Sequence, residues 1–173
     1  MLNIGLLILR IVLGVVFVGH GSQKLFGWFG GKGLKGANKM IESLGYRPVW
    51  FWAWMSGLVE FGGGLLLLAG FLTPLGSLGI VAAMLTAIIK VHWRNGFWNT
   101  NRGLEFPLVN LTAALALGLT GPGRYSFDAL LNISLPEPAV LLVGLVLIVL
   151  AVWVQDLTKH STESQPTSAG QTR

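Results

Sequence analysis

The stretch from Trp50 to Val91 decides the fold: WFWAWMSGLVEFGGGLLLLAGFLTPLGSLGIVAAMLTAIIKV. Two apolar runs, about Trp50 to Phe71 and Leu75 to Val91, are each close to the ~20 residues needed to cross a bilayer. Leu72, Thr73 and Pro74 leave room only for a tight link between them, and Pro74 suits the first turn of a helix. The stretch therefore predicts a helical hairpin within a membrane. The rest of the chain agrees. Of its 173 residues, 53% are hydrophobic and 11% charged, against about 25% charged in soluble domains. That composition excludes a soluble globule and excludes disorder for most of the chain. The 24 glycines have no Gly-X-Y period, which excludes collagen.

Outward from the hairpin, further apolar runs cover about residues 4–26, 106–119 and 139–154. The expected architecture is all-α, a polytopic membrane helical bundle. One domain spans residues 1–155, with a polar tail, read as disordered and dispensable, at 156–173. Arg10 inside the first run and the absence of a basic stretch before it argue against a signal peptide. The loop after the first span carries Lys32, Lys35, Lys39 and Arg47, with Lys24 at its edge. The third loop carries Lys90, Arg94 and Arg102. The fourth has Arg124 against Asp128 and Glu137. The positive-inside rule then puts the N-terminus outside and the C-terminus inside. The net charge of +5 reflects these loops facing an anionic leaflet, with membrane lipids and not nucleic acid as partner. Trp50, Trp52 and Trp54 read as an interfacial belt.

With no cysteine, the chain alone builds no disulfide, thiol relay or iron–sulfur cluster. Two of its three histidines precede the tail, and no metal site or covalent cofactor is expected. The chemistry instead rests on polar groups inside the spans, which are expensive there and usually paired. Arg10 and Glu60 are expected to approach each other across the first two spans, either as a lock between helices or as proton-handling groups. Arg10, Gly14, Phe17, Gly21 and Lys24 follow steps of four and three and share one helix face. His20 sits on its flank, roughly 80° from the centre. Gly57, Gly62, Gly63 and Gly64 around Glu60 fit close helix packing or a thin wall beside a flat ligand. Asn110 is placed to hydrogen-bond across the bundle. The third loop, from His92 through Trp93, Arg94, Phe97 and Trp98 to Glu105, reads as an interfacial anchor or as a lid with His92, Arg94 and Glu105 in its lining.

His20-Gly21-Ser22-Gln23-Lys24-Leu25-Phe26-Gly27, preceded by Arg10, resembles the opening signature of the DoxX family of small membrane proteins. So do Glu60-Phe61-Gly62-Gly63-Gly64 with Gly70-Phe71-Leu72-Thr73, the segment from His92 to Glu105, and Gly121-Pro122-Gly123-Arg124-Tyr125-Ser126-Phe127-Asp128. The resemblance covers about residues 4 to 131. It implies a four-helix core, to which this chain adds a fifth apolar stretch after Pro136 and Pro138, and a bacterial or archaeal inner-membrane location. It also implies, for some members, membership of a thiosulfate:quinone oxidoreductase or of a complex concerned with thiol and radical stress.

A redox subunit is accordingly the first functional expectation, with quinone as cofactor. Its head group would stack near Phe17 or the third-loop aromatics, His20 or Lys24 would donate to a carbonyl, and Glu60 or Glu105 would carry protons. Arg10, Glu60, His20 and Lys24 form the catalytic set; Phe17, Gly21, His92, Arg94, Glu105 and Asn110 form the binding set. Lys24, Arg94 and Arg102 suit an anionic reductant such as thiosulfate. A soluble redox partner or sister subunit would supply electrons. The alternatives are a non-catalytic scaffold that recruits a soluble partner, and a solute or proton pathway, which would call for a homo-oligomer.

Overall fold

A computed structural model describes residues 1–157. The part of the expected tail from residue 158 onward lies outside the described residues. All regular structure among these residues is helical: α1 (Leu2–Leu25), α2 (Gly33–Ser43), α3 (Val49–Ala69), α4 (Thr73–Ala87), α5 (Glu105–Thr120), α6 (Phe127–Leu130) and α7 (Glu137–Leu157). α4 runs on through a π turn at Ile88–His92 and a 3₁₀ turn at Trp93–Asn95.

Four helical segments are long and apolar enough to cross a membrane: Leu2–Leu25, Val49–Ala69, Thr73–Asn95 and Glu137–Leu157. α5 is apolar but shorter, with 16 residues, about 24 Å at 1.5 Å per residue. α7, formed by the additional apolar stretch, packs mainly on α4 and α5. It continues through Asp156 to Leu157, so the polar tail begins later than the composition suggests.

α1 and α3 run antiparallel along a seam of glycines. A Cβ added at Gly14 would come within 2.9 Å of the Gly64 carbonyl, one at Gly21 within 2.5 Å of the Phe61 backbone, and one at Gly57 within 2.6 Å of Leu25. Without a hydrophobic driving force in lipid, such close backbone approach supplies the packing energy. Gly70 ends α3 at φ 63, the left-handed region that glycine enters without steric cost. Thr73 and Pro74 then open α4, giving the expected hairpin.

The loop between the first two spans holds a helix that was not expected. α2 is amphipathic: Ala37 and Ile41 are buried, and Lys35 and Lys39 are exposed. Its apolar side packs with Tyr46 and Ala53 into a small second core.

Candidate functional site

Charged groups enter the bundle at two levels, and helix register separates them. Gly21 opposes Phe61 and Leu25 opposes Gly57. Arg10 therefore lies level with the end of α3, and Glu60 level with residues near 22. About twelve residues, roughly 18 Å of helix, separate them. The expected Arg10–Glu60 approach is thus incorrect, and each group has other partners.

Arg10 is 1% exposed. Its Nη2 donates to the Tyr125 carbonyl, and its charge is attracted by Asp128. Asp128, 3% exposed, accepts from Leu72 N at 2.7 Å, Thr73 N at 3.0 Å and Thr73 Oγ1 at 3.0 Å, while its own amide donates to the Gly70 carbonyl at 2.9 Å. A carboxylate is thereby set on the first amides of α4, where the helix dipole favours it. Gly70 lies so close that any side chain there would collide with the guanidinium. This is a packed joint between α1, the α3–α4 hairpin and the segment after α5.

Toward the other end of the bundle, Lys24 Nζ donates to Glu60 Oε1 at 2.7 Å. Glu60 is 6% exposed, and its Oε2 is buried with no hydrogen-bond partner. A buried carboxylate oxygen left unpaired is costly. Both residues line a cavity of about 780 Å³. His20 lines it too, its ring 6.2 Å from that of Phe17 and 5.9 Å from that of Phe106. Met84, Ala87, Ile148 and Val152 make its walls apolar, and Ser56, Thr86 and Gln155 add neutral polar groups.

The cavity's other charged border is Lys90, which pairs with Asp156 of α7. Tyr46 OH donates to the same carboxylate at 3.3 Å, and Lys90 Nζ stands 5.9 Å from the Tyr46 ring centroid. Burial raises the Tyr46 pKa above its ordinary value; the positive charge of Lys90 opposes the rise and the negative charge of Asp156 adds to it. Lys90, Val91 and His92 all reach the cavity from the π turn that ends α4; widened turns of this kind recur at functional sites. His92 Nδ1 shares a hydrogen bond with the Arg102 carbonyl. A carbonyl only accepts, so Nδ1 carries the proton.

Of the residues singled out in the sequence, Phe17, His20, Lys24, Glu60 and His92 come together around the cavity. The others lie elsewhere. Arg10 belongs to the opposite joint. Gly21 is spent on the α1–α3 seam. Arg94 is exposed, and Glu105 accepts from Asn99 N at 2.9 Å, so neither lines the cavity and only His92 fits the lid reading. Asn110 donates to the Phe106 carbonyl of its own helix at 2.8 Å instead of across the bundle. Tyr46 and Gln155 also line the cavity without a counterpart in the sequence reading, which placed Trp52 in an interfacial belt and Lys90 among the loop cations. Opposite charges at the ends of two apolar spans on one side, Lys90 and Asp156, were the available signal. Among the described residues no group of three or more His, Asp or Glu side chains is arranged to hold a metal.

Comparison with known proteins adds relatives. The DoxX family model matches residues 5–93. The chain is 34% identical over 133 residues to the inner membrane protein YqjF of Escherichia coli K12, covering 75% of this chain and 94% of that one. It is 29% identical over 134 residues to an uncharacterized membrane protein of Mycobacterium tuberculosis, Rv3486, covering 72% and 79%. It is also 29% identical over 126 residues to a Bacillus subtilis protein provisionally named an oxidoreductase, CatD, covering 73% and 86%. No solved structure matches the chain.

Proposed function

The chain belongs to the DoxX family, and from that premise we propose that it is the membrane subunit of a quinone-linked oxidoreductase system. The observation that carries the reading is the Lys24–Glu60 pair, with one unpartnered carboxylate oxygen, on the wall of an apolar cavity. A quinone, when bound, accepts two electrons and two protons. The residues suit such a molecule. Phe17 and Phe106 flank His20 with apolar rings. Lys24 and His20 are hydrogen-bond donors for a carbonyl oxygen. Glu60 is a buried acid that exchanges protons through Lys24, whose side chain is 27% exposed, and a positioned acid–base group of this kind suits proton-coupled chemistry. The provisional name of the Bacillus subtilis relative points the same way.

Electrons would come from a reductant of the thiol or thiosulfate class, through a soluble partner or sister subunit. Such a partner would dock at the end bearing Lys32, Lys35, Lys39, Arg47, Arg94 and Arg102, all exposed. The same cations support an inner-membrane orientation with this end in the cytoplasm and the N-terminus outside.

The test is extraction of quinone from protein purified in mild detergent with native lipid, beside Glu60→Gln and His20→Ala. Near-stoichiometric quinone that falls in both variants is the expected result. Quinone at the bulk-lipid level in all three would overturn the reading and leave a scaffold for a soluble partner.

A further inference from the structure

The cavity's charges are already balanced. Lys24 is neutralised by Glu60 and Lys90 by Asp156. Tyr46, His20 and His92 are the remaining titratable groups on its lining. An anion placed inside would have to displace a carboxylate from a lysine, and one without a counter-ion is strongly disfavoured in apolar surroundings. The lining is therefore suited to an uncharged molecule with a polar head and an apolar body.

The cavity also opens sideways. Phe51 on α3 and Leu147 and Ala151 on α7 line it and are exposed, and α3 and α7 pack little against each other. The surrounding surface is apolar, with Trp54, Leu150 and Val154 exposed, as a lipid-facing wall requires.

The two halves of α7 are held differently. In the N-terminal half, Leu141 packs against Gly118 and Gly144 against Leu78. In the C-terminal half, Leu147, Ile148, Ala151, Val152 and Gln155 lie along the cavity, with Ile148 and Val152 also joined to the apolar core. The end of that half is tied by Asp156 to Lys90 of α4 and, across the α3–α7 opening, to Tyr46.

We infer that the cavity takes a neutral, bilayer-dissolved amphiphile admitted between α3 and α7, with Asp156 as the latch on the C-terminal half of α7. This deepens the redox reading by giving the class and route of its ligand.

The chain has no cysteine, so a clean test exists. Tyr46→Cys/Asp156→Cys protein, folded first and reconstituted in liposomes, is bridged with a reducible bis-methanethiosulfonate reagent. Exchange of bound deuterated decylubiquinone, dodecanol or dodecanoate against unlabelled membrane pools is followed by mass spectrometry. Bridging should stop exchange of the neutral probes and reductant should restore it, while the single-cysteine proteins treated alike should exchange freely. Asp156→Ala should exchange about twofold to fivefold faster, the effect expected of one half-exposed ion pair. Dodecanoate should be retained least. Exchange indifferent to bridging would overturn the latch, and preferential retention of dodecanoate would overturn the neutral class. Retention of dodecanol without decylubiquinone would sink the redox reading and support this one.

Discussion

Two groups of buried charge sit near opposite ends of the same helix pair, and they serve different ends. In the Arg10–Asp128 joint, the carboxylate is saturated by two amides and a hydroxyl, and Gly70 presses on the guanidinium. In the Lys24–Glu60 pair, one carboxylate oxygen accepts nothing and the group borders a cavity. Buried charge in apolar surroundings is expensive in both places. The first arrangement closes the space around its charges and fixes the topology of three segments, with Arg10 Nε and Nη1 left without a hydrogen-bond partner. The second leaves capacity for something else to bind. Burial, charge and unpartnered polar atoms, which the two share, do not separate a joint from a site; adjoining space does.

The comparison breaks most sharply at Asp128. Asp128→Ala strips the partners from Leu72 N, Thr73 N and Thr73 Oγ1 and removes the negative charge that attracts Arg10, so a loss of about 3–5 kcal/mol is expected. Thermal unfolding in detergent measures it, and a wild-type melting curve would remove the joint from the account. Gly70→Ala comes next. It combines a left-handed φ with collision against Arg10, and about 2–4 kcal/mol should be lost. Glu60→Gln should behave oppositely. Shape and one hydrogen bond to Lys24 are kept, and Lys24 reaches water, so stability should change by about 1 kcal/mol or less while bound quinone falls. A large fall in melting temperature would make Glu60 a second structural joint.

The smallest effect concerns Tyr46. Its pKa is raised in the folded state by burial. The folded chain then holds the phenol proton more tightly than the unfolded chain does. Stability from this source is complete below the ordinary tyrosine range of about 10 and declines as pH rises through the folded value. Tyr46→Phe should abolish that alkaline decline and cost about 1 kcal/mol or less below it. Unfolding curves between neutral and strongly alkaline pH check this. An unchanged alkaline profile would mean that the buried Tyr46 phenol makes no contribution to the alkaline decline.

Much of the architecture was legible in residue pattern. The apolar runs coincide with helices to within a few residues, four of them long and apolar enough to cross a membrane, because bilayer thickness fixes how many such residues a crossing needs. Pro74 beside Thr73 marked the hairpin. α2 was not read, although Ala37 and Ile41 against Lys35 and Lys39 carry a helical alternation, because a basic loop that opens with Gly30, Gly31, Gly33 and Gly36 looks unstructured. For the site, Phe17, His20 and Lys24 share a helix side with a period that sequence displays. Asn110 and Glu105 misled because a polar residue in or beside a span can satisfy itself locally, as Asn110 does on the Phe106 carbonyl.

The sequence by itself determined that this chain lives in a membrane, where its helices cross, which end carries the cations, and that Arg10 and Glu60 each need a partner. Those properties follow from composition and from the helical period, both of which are local. The tertiary structure alone decided the partners. Gly14, Gly21, Gly57 and Gly64 set the sliding register of α1 on α3 at close contact, and that register puts Lys24 beside Glu60 and Arg10 level with the α3–α4 turn that Asp128 caps. Packing on α4 and α5 brings α7 over the cavity, because a helix in lipid is seated by the fit of its surface to its neighbours, here Leu141 on Gly118 and Gly144 on Leu78, and not by its hydrophobicity, which is the same against lipid as against protein.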